Sequence, residues 1–157
     1  SLLIDTYQLK PGMKILDVGC GKGFLINDLK ELCPGLDVYG VDISEYAIQN
    51  CLSQVKEKCY EGSATNLPFE DKFFDLVISI TTLHNLFNYD LDLALQEIKR
   101  VCKGKSYICV EGYRNEKEKV NLMYWQLTCR AFLKPEEWKY IFKRNEIDCD
   151  YEFIFFE

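Results

Sequence analysis

Three glycines at alternate positions, Gly19, Gly21 and Gly23, follow the apolar run Lys14-Ile15-Leu16-Asp17-Val18, which carries an acid near its end. Glycine at every second position lets a turn reach positive φ and lets a ligand lie directly against the main chain. The spacing predicts a cofactor seat between a strand and a helix, with Cys20 inside the turn as a small packing residue in preference to a nucleophile. A second acid, Asp42, closes the run Asp37-Val38-Tyr39-Gly40-Val41-Asp42. At the end of a neighbouring strand it can accept hydrogen bonds from both hydroxyls of a ribose. The alternative is that it merely caps a helix begun at Ser44.

Asp17 narrows the ligand. Dinucleotide-binding turns have a third small residue where this chain has Phe24. A carboxylate at the mouth of the turn repels an anionic pyrophosphate and suits a ligand that carries an amine. An NAD-dependent oxidoreductase is disfavoured on that ground.

Fewer residues suit catalysis. His84 is the one histidine in the chain and follows the apolar run Phe73–Ile80. It is a candidate general base; the alternative is that it orients the next helix and shapes the pocket. Glu111 and Tyr113, just after the run Tyr107–Glu111, are the other catalytic candidates, weighed against edge packing and surface charge. The stripe Val120-Asn121-Leu122-Met123-Tyr124-Trp125-Gln126-Leu127 reads as a helix's buried face in preference to an aromatic wall over the site. Gly104-Lys105-Ser106 imitates the end of a phosphate-binding loop, but residue 99 is Lys where that loop needs Gly.

The elements that must hold these residues alternate strand and helix. Strands are predicted over 13–18, 37–42, near 58–61, over 73–80 and over 107–111. Helices are predicted over 22–32, from Ser44 for roughly three turns through Leu52, and over 91–101, 115–131 and 135–145. Repeated strand–helix units force right-handed crossovers, so the expected fold is α/β: a three-layer, Rossmann-like, doubly wound, mostly parallel sheet with helices on both faces. Ligands of such sheets sit beyond the C-terminal strand ends, beside the first strand.

Composition bounds the rest. The 157 residues suit one compact domain over 1–157, and the start Ser1-Leu2-Leu3-Ile4 suggests that part of a leading helix has been trimmed. Asp and Glu number 25 against 19 Lys and Arg, a net charge of −6 that argues against a nucleic-acid backbone as partner. The eight cysteines are scattered with no CxxC pair, which fits reduced thiols and a cytoplasmic setting and gives no metal site. No apolar run has membrane-spanning length.

Taken together, Asp17-Val18-Gly19-Cys20-Gly21-Lys22-Gly23 resembles the first motif of the class I S-adenosylmethionine-dependent methyltransferases. Leu67-Pro68-Phe69 with Phe74-Asp75-Leu76-Val77, then Thr82-Leu83-His84-Asn85-Leu86 and Glu97-Ile98-Lys99-Arg100-Val101, resemble further stretches of that family, in its type 11-like small-molecule branch. The resemblance implies S-adenosyl-L-methionine as cofactor and S-adenosyl-L-homocysteine as product. Asp17 and the backbone of Gly19, Cys20, Gly21 and Gly23 would hold the methionine part, and Asp42 the ribose. Ile43 would pack on the adenine and Ala64 would offer it an N–H. Ser79 and Ile80 would lie under the methionine. The family often has an acid where Ser63 stands, which leaves a weaker adenine partner here. The chain also lacks the Asx/Ser-Pro-Pro-aromatic motif of amino-methylating enzymes and the Pro-Cys pair of pyrimidine C5 chemistry. With the acidic charge, this points to a small-molecule acceptor. A catalytically silent cofactor- or partner-binding domain of the same fold is the alternative.

Overall fold

The computed structural model describes residues 2–157. Six strands form one sheet in the order β3-β2-β1-β4-β5-β6: β1 (Lys14–Val18), β2 (Asp37–Asp42), β3 (Cys59–Glu61), β4 (Leu76–Ile80), β5 (Ser106–Glu111) and β6 (Cys149–Ile154). All five pairings are parallel. The helices are α1 (Leu2–Tyr7), α2 (Phe24–Leu32), α3 (Glu45–Gln49), α4 (Asn88–Val101), α5 (Glu116–Trp125) and α6 (Pro135–Arg144). Strand order reverses between β1 and β4, which opens a crevice beyond their C-terminal ends, as the sequence pattern implied.

The strands are apolar on both faces because both faces are covered. Leu16, Val18, Phe74, Val77, Ile108 and Val110 pack with α4 and α6 on one side. Ile15, Val38, Leu76 and Ile78 pack with α1 and α2 on the other. Trp138 of α6 is fully buried and its indole N–H donates to the Glu111 carbonyl at 3.3 Å, which ties α6 to the end of β5. Its truncation to Ala would cost about 3–5 kcal/mol.

The motifs that resembled a family turn out to clamp one another. Arg100, in the last turn of α4, donates to Glu97, to Asp71 and to the carbonyls of Leu67 and Phe69 at 2.7–3.0 Å. Glu97 in turn accepts the Leu67 N–H at 2.7 Å. The loop 62–69 is thereby pinned to α4. Asp75 accepts the Lys14 N–H at 2.8 Å and the Lys103 ammonium at 3.0 Å, which sets the start of β1 beside β4.

Two helices differ from the sequence expectation. The helix at Ser44 is capped as foreseen, the hydroxyl accepting the Ala47 N–H at 3.2 Å, but it ends at Gln49. The Leu52 N–H is drawn away to the carbonyl of Lys22 in the glycine turn. The helix expected over 115–131 ends at Trp125, because Arg130 and Ala131 donate their main-chain N–H groups to the carbonyl of His84. The apolar stripe of α5 is not its buried face: Leu122 is buried, whereas Val120, Met123, Tyr124, Trp125 and Leu127 are exposed. Apolar residues at the consecutive positions 122–125 point in every direction around a helix, so only one of them can face inward.

Candidate active site

A cleft of about 320 Å³ lies at the switch point of the sheet. Its walls come from the ends of three strands and the loops that follow: Gly19 after β1, Asp42 at the end of β2 with Ile43 just beyond it, and Ile80, Thr81 and Thr82 around the end of β4. Ser63 and Ala64 of the clamped loop close one side. Six of the residues expected from sequence therefore share one cavity: Gly19, Asp42, Ile43, Ser63, Ala64 and Ile80.

The glycine turn is built differently from a ring of free donors. Gly19 and Cys20 both give their N–H groups to the carbonyl of Val41, at 2.7 and 3.0 Å. The Gly23 N–H goes to Cys20, and the Gly21 N–H goes to a carboxylate oxygen of Asp42 at 2.8 Å. The glycines matter for their missing Cβ atoms. Gly19 has φ 88° and a Cβ there would fall 1.9 Å from the Thr82 hydroxyl; Gly23 has φ 80° and a Cβ there would collide with Val55 and Cys51. Cys20 is buried and its sulfur fills the space over Gly40, where no Cβ fits.

Asp42 does two things at once. One oxygen takes the Gly21 N–H and the other takes the Ser44 N–H, each at 2.8 Å. The helix-capping reading is thus part of the geometry, and so is exposure to the cleft, since each oxygen keeps a free lone pair. Asp17 lies beneath, 4% exposed. Burial, then the negative charge of Asp42, then Cys59 push its carboxyl up to about 7, with no hydrogen bond or cation opposing them. A carboxylate in that position lacks one thing, a positive partner. Ile43 projects into the cleft at 75% exposure, a flat apolar surface without a protein neighbour to cover it. Ser79 is buried and donates to the Val18 carbonyl at 3.2 Å, joining β4 to β1 under the cleft. The Ser63 hydroxyl is shared with Thr65 at 2.7 Å.

The match is decided by extent. The family described as a methyltransferase domain covers residues 9–146. The chain belongs to the class I S-adenosylmethionine-dependent methyltransferases. It is 32% identical over 133 residues to a tRNA (carboxymethyluridine(34)-5-O)-methyltransferase of Arabidopsis thaliana, covering 83% of the chain and 31% of that protein. It is 33% identical over 143 residues to a demethylmenaquinone methyltransferase of Symbiobacterium thermophilum, covering 83% of the chain and 55% of that protein. The chain thus spans from just under a third to just over half the length of these relatives. In fold it resembles an N-methyltransferase of Haemonchus contortus in complex with phosphomonomethylethanolamine and S-adenosylhomocysteine, with a TM-score of 0.70 and 24% identity, over 92% of this chain and 35% of that one.

The three catalytic candidates of this methyltransferase domain lie off the cleft lining. His84 is 1% exposed, in a single turn over Leu83–Asn85. Its Nδ1 accepts the Glu111 N–H at 3.3 Å, so Nε2 carries the proton. Nε2 sits 3.1 Å from a Glu111 carboxylate oxygen, close but not aligned as a hydrogen bond, which leaves that buried oxygen without a full partner. Burial alone lowers the imidazole to about 4 and raises the Glu111 carboxyl. Tyr113 is buried with Leu122 and Cys129, away from the cleft.

Sequence reasoning gives no role at the site to Val18, Val41, Gly62, Thr81, Thr82, Asn85 or Leu86, all on the lining, although 79–84 and the Thr82–Leu86 stretch stand out in the sequence. Their place near strand ends or in the loops that follow was the available signal. Thr81 is notable for φ 53°, a strained setting for a β-branched residue, at the rim of the cleft. Among the described residues no cluster of His, Cys, Asp and Glu could hold a metal ion, and no helix is long and apolar enough to cross a membrane.

Proposed function

We propose that this domain transfers the methyl group of S-adenosyl-L-methionine to a small-molecule acceptor in the cytoplasm, releasing S-adenosyl-L-homocysteine. The observation that carries the reading is the buried carboxylate of Asp17, which has no cation among its contacts and directly precedes Val18 and Gly19 on the wall of a cleft that Asp42 and Ile43 also line. An amine beside Asp17 relieves its raised pKa, a ribose takes the two remaining lone pairs of Asp42, and an adenine covers Ile43. Ala64 supplies main-chain polarity and Ser63 a hydroxyl at the base edge. When bound, the cofactor supplies a methyl group on a sulfonium, open to direct displacement.

The chain's own contribution is alignment. Ile80, Thr81 and Thr82 bound the cleft from β4, and the Thr82 side chain, pressed on Gly19 and donating to the Ile80 carbonyl at 3.1 Å, holds the rim in one shape. His84 serves as a positioning residue: neutral above about pH 4 and sealed by Glu111 and Ala131, it holds β5 against the turn that follows β4 and takes no proton from the acceptor. Glu111 shares that role and Tyr113 packs. The acceptor is a small molecule because the chain is acidic, at −6, and the relative acting on demethylmenaquinone is matched over more of its length than the relative acting on tRNA. Eight free thiols fit a reducing compartment. The test is a screen of metabolite fractions for S-adenosylhomocysteine release. Release with a small-molecule fraction and none with bulk tRNA is expected; release with tRNA alone would overturn the acceptor class.

A further inference from the structure

Beneath the glycine turn, off the lining of the cleft, three thiols share one buried cluster. The Cys51 Sγ lies 3.0 Å from the Cys59 Sγ and donates to it. Cys20 contributes a third sulfur, and all three side chains keep a sliver of accessible surface, 7% each. No pair of these residues is close in sequence to a CxxC arrangement; the fold brings them together, Cys51 from the loop after α3 and Cys59 from the first position of β3. The two sulfurs of Cys51 and Cys59 form the floor under Gly23: a Cβ on that residue would lie 2.9 Å from one and 3.5 Å from the other. The same loop is hydrogen-bonded to the turn through the Leu52 N–H and the Lys22 carbonyl at 3.0 Å.

We propose that Cys51 and Cys59 are an oxidative modification site, joined to a disulfide by a hydroperoxide, and that the bond loosens the glycine turn resting on them. A disulfide needs about 2.05 Å between sulfurs, so the pair must close by about 1 Å, and the floor under Gly23 moves with it. Geometry supplies the pairing and chemistry supplies the order of events. The neighbouring Cys20 and Cys51 thiols lower Cys59 to about 7 against the opposing effect of burial, so Cys59 is the first nucleophile. Its sulfur attacks one oxygen of hydrogen peroxide and breaks the O–O bond, giving a sulfenic acid and hydroxide, which takes up the proton Cys59 gave away to become water. Cys51 then attacks that sulfur, forming the S–S bond as the S–O bond breaks; the Cys51 proton leaves with the hydroxyl as a second water. Two thiols and one peroxide give one disulfide and two waters, with two electrons passing from sulfur to oxygen.

The test treats the whole chain with hydrogen peroxide, blocks remaining thiols, maps linked peptides by mass, and follows hydrogen exchange over residues 19–24. The expected result is a Cys51–Cys59 linked peptide lighter by two hydrogens, reversed by dithiothreitol, with exchange of the turn amides several-fold faster in the oxidised protein. Cys51→Ser and Cys59→Ser should each abolish both effects, and Cys33→Ser should leave both. A link from Cys59 to Cys20 in place of Cys51, no link at all, or a link that leaves exchange at 19–24 unchanged would overturn the proposal. Neither readout needs a bound cofactor, so the result stands apart from the methyl-transfer reading.

Discussion

The carboxylate of Asp42 accepts the main-chain N–H of Gly21 at 2.8 Å, which makes the acid of one strand part of the glycine turn of the next. Its other oxygen holds Ser44. Asp42→Ala should therefore damage the seat as well as remove a ligand contact. The expected outcome is a loss of more than tenfold in cofactor affinity by titration calorimetry and of about 1–3 kcal/mol in chemical denaturation, from two N–H groups left without a charged acceptor.

Asp17 illustrates a conflict between stability and binding. Its folded-state pKa, raised to about 7, lies above the unfolded value of 3.8, so the folded state favours the protonated form. Stability from this group is full below 3.8 and is lost as pH rises toward 7. Asp17→Asn should thus match the wild type near pH 4 and exceed it by about 2–4 kcal/mol at pH 8, measured by urea unfolding. The same variant should lose cofactor binding, since the amide cannot pair with an amine cation.

His84 shifts in the other sense. Its folded-state value of about 4 lies below the unfolded 6.5, so stability is full above 6.5 and falls as pH drops from there toward 4. The loss amounts to about 3 kcal/mol, and unfolding midpoints of wild type against His84→Gln across that range would show it. As a positioning residue, His84→Gln should lower turnover and cofactor affinity together and leave the pH–rate profile without a missing inflection. A variant that binds the cofactor normally yet has no turnover would make His84 the base.

Arg100 tests the clamp behind the adenine side. Arg100→Ala releases the carbonyls of Leu67 and Phe69 together with Glu97 and Asp71. It should destabilise the fold by about 2 kcal/mol and weaken cofactor binding through the freed loop that carries Ser63 and Ala64. Arg100→Lys should recover little, because one ammonium cannot reproduce the planar fork.

Much of this arrangement was legible in the sequence because its signals are local. The run ending in Asp17, the alternate glycines, the strand ending in Asp42 and the cap at Ser44 each announce themselves within a few residues. What could not be read depends on partners far along the chain. His84 is buried and takes main-chain N–H groups from Glu111, Arg130 and Ala131, so its place after β4 gave no hint that it would be sealed. The floor under Gly23 needs Cys51 and Cys59, and the contact of Thr82 with Gly19 needs the β1–β4 pairing. The α5 stripe was apolar enough to suggest a buried face, but its four consecutive apolar residues do not follow the helical period, and that period was the better guide.

The most direct test of the central claim is titration calorimetry of S-adenosylhomocysteine into the wild-type protein and into Asp17→Asn, at a pH below and a pH above 7. The account predicts saturable binding to the wild type that tightens as pH rises through 7, up to about tenfold per unit as Asp17 gives up its proton, and no binding to Asp17→Asn. Binding that is absent in the wild type at hundreds of micromolar, or undiminished in Asp17→Asn, would contradict it.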